Sequence, residues 1–172
     1  MRGKSQSRIF KSIRIRCDLQ PGDIGKVIAL HGIVYASEHG YDHTFEGAYV
    51  ARSFAEFVES YNPRNDRLWV AEKEGQVVGS IGIVGRLKDK AQLRWWLVHP
   101  RCRGLGLGKV LLEEAIEFCK TRPYKTIYLW TVNDLAAAIH LYKAAGFQKT
   151  EEKSHPNLWG RPITEERYEL HL

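Results

Sequence analysis

The chain has 172 residues, 44% of them apolar, which is enough to bury the core of a single domain without disulfides or metals. Its apolar runs are far shorter than the roughly 20 residues that cross a bilayer, and residues 1–12 lack the apolar stretch of a secretion signal. We therefore expect a cytoplasmic protein that enters no membrane. Cys17, Cys102 and Cys119 are odd in number and lack metal-ligand spacing, so neither a disulfide framework nor a metal site is predicted.

The net charge of +6 comes from the N-terminus, because the rest of the chain has balanced charge. Residues 1–11 are predicted to be a disordered basic leader and residues 12–172 a single domain. The alternative for the leader is an electrostatic arm for nucleic acid. It is disfavoured, since neither aromatic interleaving nor a basic helical stripe accompanies the charges. The basic residues that precede the first acidic one are Arg2, Lys4, Arg8, Lys11, Arg14 and Arg16.

The first third of the domain is predicted to be a strand followed by two helices. Residues 12–19 form the strand, and residues 21–23 turn it into a helix with apolar positions at 24, 27, 28, 34 and 35. His31 lies on this apolar stripe, where a lone histidine is usually a packed core residue with one hydrogen bond. Thr44 is a predicted N-cap for the second helix. The apolar side of that helix would carry Phe54, Phe57, Val58 and Tyr61.

The rest of the chain is predicted to alternate between strands and two further helices. Residues 67–72 and 76–84 have the pattern of a hairpin, and residues 93–98 that of a buried central strand. A helix over 106–120 and a strand over 126–132 follow. Asp134 is predicted to cap the last helix, whose apolar stripe includes Tyr142, with Gly146 just after its end. Strands over 147–152 and 166–172 complete a mixed sheet covered by helices.

Glycines 104, 106 and 108 separate the predicted central strand from a helix, and this arrangement is typical of an anion site. Glycine lets the backbone approach a phosphate closely, and the first helical N–H groups lack intrahelical partners. Arg103 and Lys109 add positive charge. The alternative is a glycine-rich helix start with a basic surface. A nucleoside-triphosphate loop is excluded because Val110 replaces the required Ser or Thr, and the glycine spacing does not fit a dinucleotide fingerprint.

Three motifs resemble those of the GNAT family of N-acetyltransferases. The segment 103–108 matches its pyrophosphate loop, residues 98–100 match the end of its fourth strand, and residues 138–147 match its A-x-x-x-Y-x-x-x-G-F helix. The resemblance extends from about residue 12 to the C-terminus. In detail the chain looks most similar to acetyltransferase domains that are fused to MarR-type regulators, through Tyr128-Leu-Trp-Thr131, Leu158-Trp-Gly-Arg161 and Arg167-Tyr-Glu-Leu170.

The resemblance implies an α+β fold, with a mixed, mostly antiparallel sheet of six to seven strands and helices on both faces. It also implies transfer of an acetyl group from acetyl-CoA to the primary amine of a small molecule or peptide. Tyr142 would be the general acid, since a phenol with a pKa of about 10 can protonate a leaving thiolate whose thiol has a pKa of about 8.5. The alternative for Tyr142 is a packed core tyrosine. The residues expected to contact the cofactor are Trp96, Leu97, Val98, Arg103, Gly104, Leu105, Gly106, Leu107, Gly108, Lys109 and Asn133.

Two departures from the family pattern leave the general base unassigned. Leu135 stands where many members have Asn, with Asn133 out of register, and Trp130 replaces a Glu of some members. These departures support an alternative function as a non-catalytic acyl-CoA-binding or regulatory module. The acceptor amine is expected to be cationic or amphipathic, and a homodimer is left open. Candidates for the base or for acceptor binding are Glu38, Asp42, His43 and Glu46.

Overall fold

The computed structural model describes residues 12–87 and 89–172. The predicted basic leader, residues 1–11, lies outside the described residues, so its expected disorder stays a prediction. Within the described ranges, none of the helices has both the length and the apolar content needed to cross a membrane.

In the part of the chain that the structure describes, seven strands form one sheet in the order β1-β2-β3-β4-β5-β7-β6. Only the pair β4 and β5 is parallel, and all other neighbours are antiparallel. The predicted mixed, mostly antiparallel sheet is therefore confirmed. The elements are β1 (Ile13–Arg16), α1 (Asp23–His39), a π-helical segment (Phe45–Ala51) that continues into α2 (Arg52–Glu59), β2 (Arg67–Lys73), β3 (Gln76–Gly85), β4 (Lys90–Val98), a short 3-10 helix (Pro100–Cys102), α3 (Leu107–Lys120), β5 (Thr126–Val132), α4 (Ala136–Ala144), β6 (Gln148–Leu158) and β7 (Arg161–His171).

Helices cover both faces of the sheet, and each face has its own apolar core. On one face α3 and α4 pack through residues such as Leu111 and Tyr142. On the other face α1, the π-helical segment and α2 pack through residues such as Val27 and Phe54. A strand between two such layers is covered on both sides, and in β4 buried side chains accordingly alternate with half-buried ones up to two buried residues at its end.

The parallel strands β4 and β5 pair over only three residues and then separate. Their register runs from Lys90 opposite Thr126 to Gln92 opposite Tyr128. The register between β3 and β4 also shifts, so Trp95 and Trp96 are not aligned with any residue of β3. Trp95 has a φ of +51° at this irregularity. The Trp95 indole fits because residue 82 is a glycine. A Cβ at that position would lie 2.5 Å from the ring, which is too close.

Four details of the predicted elements are wrong. The second helix begins as a π-helix, and of its expected apolar side Val58 is exposed and Tyr61 follows the helix end. Asp134 does not cap α4, because Leu135 occupies the N-cap position. The Asp134 carboxylate instead lies 3.7 Å from His39 and 3.6 Å from Arg161. The last two strands are longer than predicted, and they form a continuous hairpin around Trp159 and Gly160.

A buried ion pair fixes the start of α1 against β1. The Arg16 guanidinium donates two 2.7 Å hydrogen bonds to Asp23, whose side chain is 2% exposed, and a third at 3.2 Å to Glu72. The hydrogen bond from Arg16 lowers the pKa of Asp23 below its usual 3.8. The ionised carboxylate therefore stabilises the fold above pH 3.8, and this contribution is lost as the pH falls through the depressed pKa.

We predict that Asp23→Asn lowers the free energy of unfolding by about 3 kcal/mol at pH 7, because the buried Arg16 guanidinium loses its two shortest charged hydrogen bonds and keeps only the 3.2 Å contact with Glu72. Urea denaturation of both proteins measures the difference. Asp18→Asn is the control, since that carboxylate is exposed and accepts only a 3.4 Å bond from Gln20. The difference in unfolding free energy between wild type and Asp23→Asn should become smaller as the pH falls below 3.8. Equal stabilities at pH 7 would contradict the prediction.

Candidate functional site

A cleft opens where β4 and β5 separate, and it encloses about 100 Å³. Residues 92–96 of β4 and 130–132 of β5 form one side. Side chains from α1 and the π-helical segment form the other side, and Tyr142 of α4 and Trp159 of the β6–β7 turn complete it. A π-helical turn re-aims side chains by one extra residue and is common at functional sites. The cleft is therefore the first candidate for the functional site.

Aromatic rings form one wall of this cleft. Tyr41 lies 5.1 Å from both Phe45 and Trp159, measured between ring centroids, and Tyr49 lies 5.0 Å from Trp159. Trp159 adopts a φ of +54° in its two-residue turn, a conformation that costs energy for a bulky side chain. The Trp159 carbonyl accepts a 3.1 Å hydrogen bond from the Asp42 amide, which ties the turn to the end of α1.

Two charged side chains of opposite sign line the cleft. Among the described residues that line it, Arg94 is the single arginine or lysine and Glu165 the single acid. The Arg94 guanidinium carbon lies 5.6 Å from the Tyr49 ring and 5.3 Å from the Trp95 ring. Within the described ranges no carboxylate lies within 4.0 Å of Arg94. Glu165 is 2.8 Å from His155 Nε2, which holds one carboxylate oxygen and leaves the other open.

Two buried polar atoms of the cleft have no hydrogen-bond partner among the described residues. They are the Tyr41 hydroxyl and the Trp96 indole nitrogen. Buried polar groups are nearly always paired, because leaving one unsatisfied costs about 1–3 kcal/mol. Because both atoms belong to residues that line the cleft, water or a polar ligand in the cleft can complete them.

Tyr142 is buried at the junction of the cleft and the α4 core. Its ring centroid lies 4.8 Å from Trp96 and 5.7 Å from Phe147. Burial, with a smaller contribution from Tyr35, raises the pKa of Tyr142 well above its usual 10.0. The phenol is therefore neutral at physiological pH, so it is available as a hydrogen-bond donor.

His31 is a packed core residue with one hydrogen bond, as its position on the apolar stripe predicts, and it also lines the cleft. Its Nδ1 lies 2.8 Å from the Val27 carbonyl. Since a carbonyl oxygen can only accept, Nδ1 carries the proton and Nε2 keeps its lone pair. Burial lowers the pKa of His31 to about 4, so the ring is neutral at physiological pH.

The glycine loop leads from β4 into the N-terminus of α3. Gly104 and Gly106 have φ values of +72° and +87°, which only glycine adopts without strain. Val110 donates the first intrahelical bond, 3.1 Å to the Gly106 carbonyl. The three preceding helical amides, of Leu107, Gly108 and Lys109, therefore have no acceptor within α3, and together with the helix dipole they favour an anion.

The two charged residues of this loop have carboxylate partners. Arg103 forms two hydrogen bonds to Glu38, at 2.8 and 2.9 Å, and a third of 3.0 Å to the Val98 carbonyl. Lys109 is exposed and 3.7 Å from Glu113. The structure thus brings two predicted site residues together in an unexpected way, since Glu38 binds Arg103 and does not reach the cleft.

The remaining acceptor-side candidates also lie outside the cleft. Asp42 is exposed and accepts hydrogen bonds from the amide and hydroxyl of Thr44. His43 is exposed, and the Glu46 carboxylate packs against Gly32 of α1. Asn133 is exposed at the end of β5, where its amide donates to the Thr164 carbonyl at 3.0 Å. None of these side chains lines the cleft.

Sequence reasoning missed Arg94 and Glu165, the two charges of the cleft. Arg94 lies within the apolar segment 93–98, which was interpreted only as a buried strand. Its only signal is that a charge stands in a run that otherwise predicts burial on both faces. Glu165 lies between the two terminal strands as they were predicted, and only the register that sets it opposite Val132 brings it to the cleft.

Comparisons with known proteins agree with this architecture. A model of the acetyltransferase (GNAT) family matches residues 25–147. An uncharacterized N-acetyltransferase of Schizosaccharomyces pombe is 32% identical over 124 residues, covering 70% of this chain and 74% of its own. The rat N-acetyltransferase family 8 member 2 is 34% identical over 113 residues, covering 59% and 49%. The chain thus spans about half the length of several curated relatives.

Solved structures share the fold at lower identity. An acetyltransferase from Streptococcus agalactiae superposes with a TM-score of 0.76 at 22% identity, covering 95% of this chain and 100% of its own. A Salmonella typhimurium protein, solved with its cofactor acetyl-CoA, gives a TM-score of 0.72 at 19% identity and covers 94% of both chains. With the family model matching most of its length, this chain belongs to the acetyltransferase (GNAT) family.

Proposed function

We propose that this chain transfers the acetyl group of acetyl-CoA to the amine of a small molecule or peptide. The observation that carries the proposal is that the start of α3, with its unpaired amides, adjoins the cleft beside Tyr142: a Cβ at Gly108 would lie 3.5 Å from Trp96, which lines the cleft. The anion site suits the pyrophosphate of acetyl-CoA, and the cleft suits an acceptor. Acetyl-CoA as the donor is also supported by its presence in the Salmonella typhimurium structure.

The residues fit this donor. The amides of Leu107, Gly108 and Lys109 are free to hold the pyrophosphate. Where β4 leaves β5, the backbone of Trp96 to Val98 faces a gap that an extended pantetheine arm can fill as an extra strand does. The unpartnered Trp96 indole nitrogen supplies one further donor there. Arg103 keeps Glu38 as its partner, and we assign it the role of positioning the loop.

The chemistry needs one proton donor and one acceptor. The amine nitrogen forms a bond to the thioester carbonyl carbon, the carbon–sulfur bond breaks, and the leaving thiolate must be protonated. Tyr142 is the donor in this proposal, since its phenol is neutral and borders the cleft. The acceptor ammonium must first lose a proton, and both the open oxygen of Glu165 and Nε2 of His31 can accept it.

Free thiol release from acetyl-CoA, measured with a panel of amines, amino acids and peptides, tests the proposal. We expect release that depends on one class of amine and equals the amount of acetylated product. Binding of acetyl-CoA without release in any reaction would indicate a non-catalytic acyl-CoA module on the same fold. The similarity to MarR-fused domains, the cytoplasmic location and a homodimer stay predictions.

A further inference from the structure

We infer that the acceptor is an amino acid with a free carboxylate, bound between Arg94 and Glu165. The inference deepens the proposed function by naming the substrate class, and its kinetic test rests on that function. A zwitterion fits the cleft because the two charges of the described lining are one cation, Arg94 of β4, and one anion, Glu165 of β7, which is paired with Val132 at the end of β5.

Arg94 decides the class of acceptor. Every amine acceptor arrives as a cation, so an aromatic and acidic cleft alone would suit a polyamine as well as an amino acid. A fixed guanidinium without a carboxylate partner repels a second cation and binds an anion. Its planar fork matches a carboxylate in a two-point contact. Arg94 is half-buried against Tyr49 and Trp95, so its position is restricted.

Glu165 suits the amino group of the same ligand. His155 Nε2 lies 2.8 Å from one of its oxygens, the other has no hydrogen bond to a described residue, and the side chain lines the cleft. Burial raises the pKa of Tyr49, the charge of Arg94 lowers it and the charge of Glu165 raises it, so both charged side chains lie near that phenol. The unpartnered Tyr41 hydroxyl adds a polar contact in the same region. The aromatic wall of Phe45 and Trp159 would then take the apolar part of the side chain.

The proton balance of the step follows from this placement. The ammonium gives one proton to Glu165, and the neutral nitrogen attacks the thioester carbon. The nitrogen gives its second proton to water as the amide forms, and the thiolate takes a proton from Tyr142. Water then returns one proton to the Tyr142 phenolate and takes the proton from Glu165. The net products are the N-acetyl amino acid, CoA as its thiol, and one proton released to solvent.

The test compares each proteinogenic amino acid with its carboxamide and with its decarboxylated amine. For the wild-type protein we expect kcat/KM to fall about 10- to 100-fold when the carboxylate is removed, the value of one charged hydrogen-bonded contact. Arg94→Gln should raise KM for the amino acid by a similar factor, leave KM for the decarboxylated amine unchanged, and keep the wild-type Kd for acetyl-CoA. Equal kcat/KM for amino acid and decarboxylated amine in the wild type would overturn the inference.

Arg14→Gln is the matched control, because Arg14 is an exposed arginine on the distant edge strand β1. If Arg94→Gln does not fold, the wild-type substrate series decides alone. If no amine releases thiol, the proposed function fails, and calorimetric titration of amino acids into the protein saturated with CoA tests the inference separately. Binding that requires the carboxylate supports it, and binding of none of the amino acids overturns it.

Discussion

Tyr142→Phe is expected to lower kcat by about 10²-fold or more, the scale of a lost general acid. The ring keeps its contacts with Trp96 and Phe147, and the hydroxyl makes no hydrogen bond to any described residue, so the fold and the Kd for acetyl-CoA should change little. Stopped assays for kcat and calorimetry for Kd measure the two quantities. Wild-type turnover in the variant would remove Tyr142 from the chemistry and leave it a core tyrosine.

A matched control separates chemistry from burial. Tyr124 is also buried, and its hydroxyl donates a 2.8 Å hydrogen bond to the Asn65 carbonyl, far from the cleft. Tyr124→Phe should lower stability by about 1 kcal/mol and leave kcat unchanged. The pH profile gives a second readout. Because burial raises the pKa of Tyr142 well above 10.0, wild-type kcat should have no descending alkaline limb below pH 10.0 from this residue.

The glycine loop before α3 and the helix of Tyr142 could be predicted from the sequence because their signals are local. Glycines before an amphipathic helix specify close backbone approach and free amides within a few residues of chain. The apolar spacing of α4 and the glycine at 146 likewise specify a helix and its end. These local features do not depend on contacts with distant segments, and the structure contains both the glycine loop before α3 and helix α4.

The cleft itself could not be predicted, because it depends on register between distant segments. The pairing of β4 with β5 ends at Gln92, and β4 then shifts against β3 near Trp95, where the absence of a side chain at Gly82 leaves room for the indole. Glu165 reaches the cleft only through the pairing of β7 with β5. The alternation of apolar and polar residues predicts which side chains share a face of a strand, but it does not predict which other strand pairs with it or in what register. The sequence alone therefore did not predict that Arg94 and Glu165, which we assign to acceptor binding, line the same cleft.

Local propensity also failed where a tertiary contact competes with it. Asp134 has the residue type of an N-cap, yet its carboxylate lies near His39 and Arg161. Arg161 additionally donates a 2.6 Å hydrogen bond to the His39 carbonyl at the end of α1. Joining α1, α4 and the terminal hairpin evidently outweighs a cap, which contributes about 1 kcal/mol.

Gly108→Val should weaken acetyl-CoA binding by about 100-fold or more, which corresponds to losing two charged hydrogen bonds of about 1.5 kcal/mol each. The structure makes Gly108 a better probe than Gly106. A side chain at Gly106, with its φ of +87°, would strain the backbone whatever it does to the ligand. A Cβ at Gly108 would meet Trp96 at 3.5 Å and Val98 at 3.7 Å, which are ordinary contacts, so the fold should tolerate it.

Because a Cβ at position 108 points toward Trp96 and Val98, we expect the valine methyl groups to narrow the space between the start of α3 and the end of β4, where the pyrophosphate would reach the free amides. Calorimetry with acetyl-CoA and with S-acetylpantetheine, which lacks the pyrophosphate, locates the loss. Only acetyl-CoA should bind more weakly, because only it uses the anion site. Gly25→Val is the control, since Gly25 is an exposed glycine near the start of α1 with nothing within 4 Å of an added Cβ. An unchanged Kd in Gly108→Val would show that the pyrophosphate binds elsewhere, and the donor half of the proposed function would then lose its structural basis.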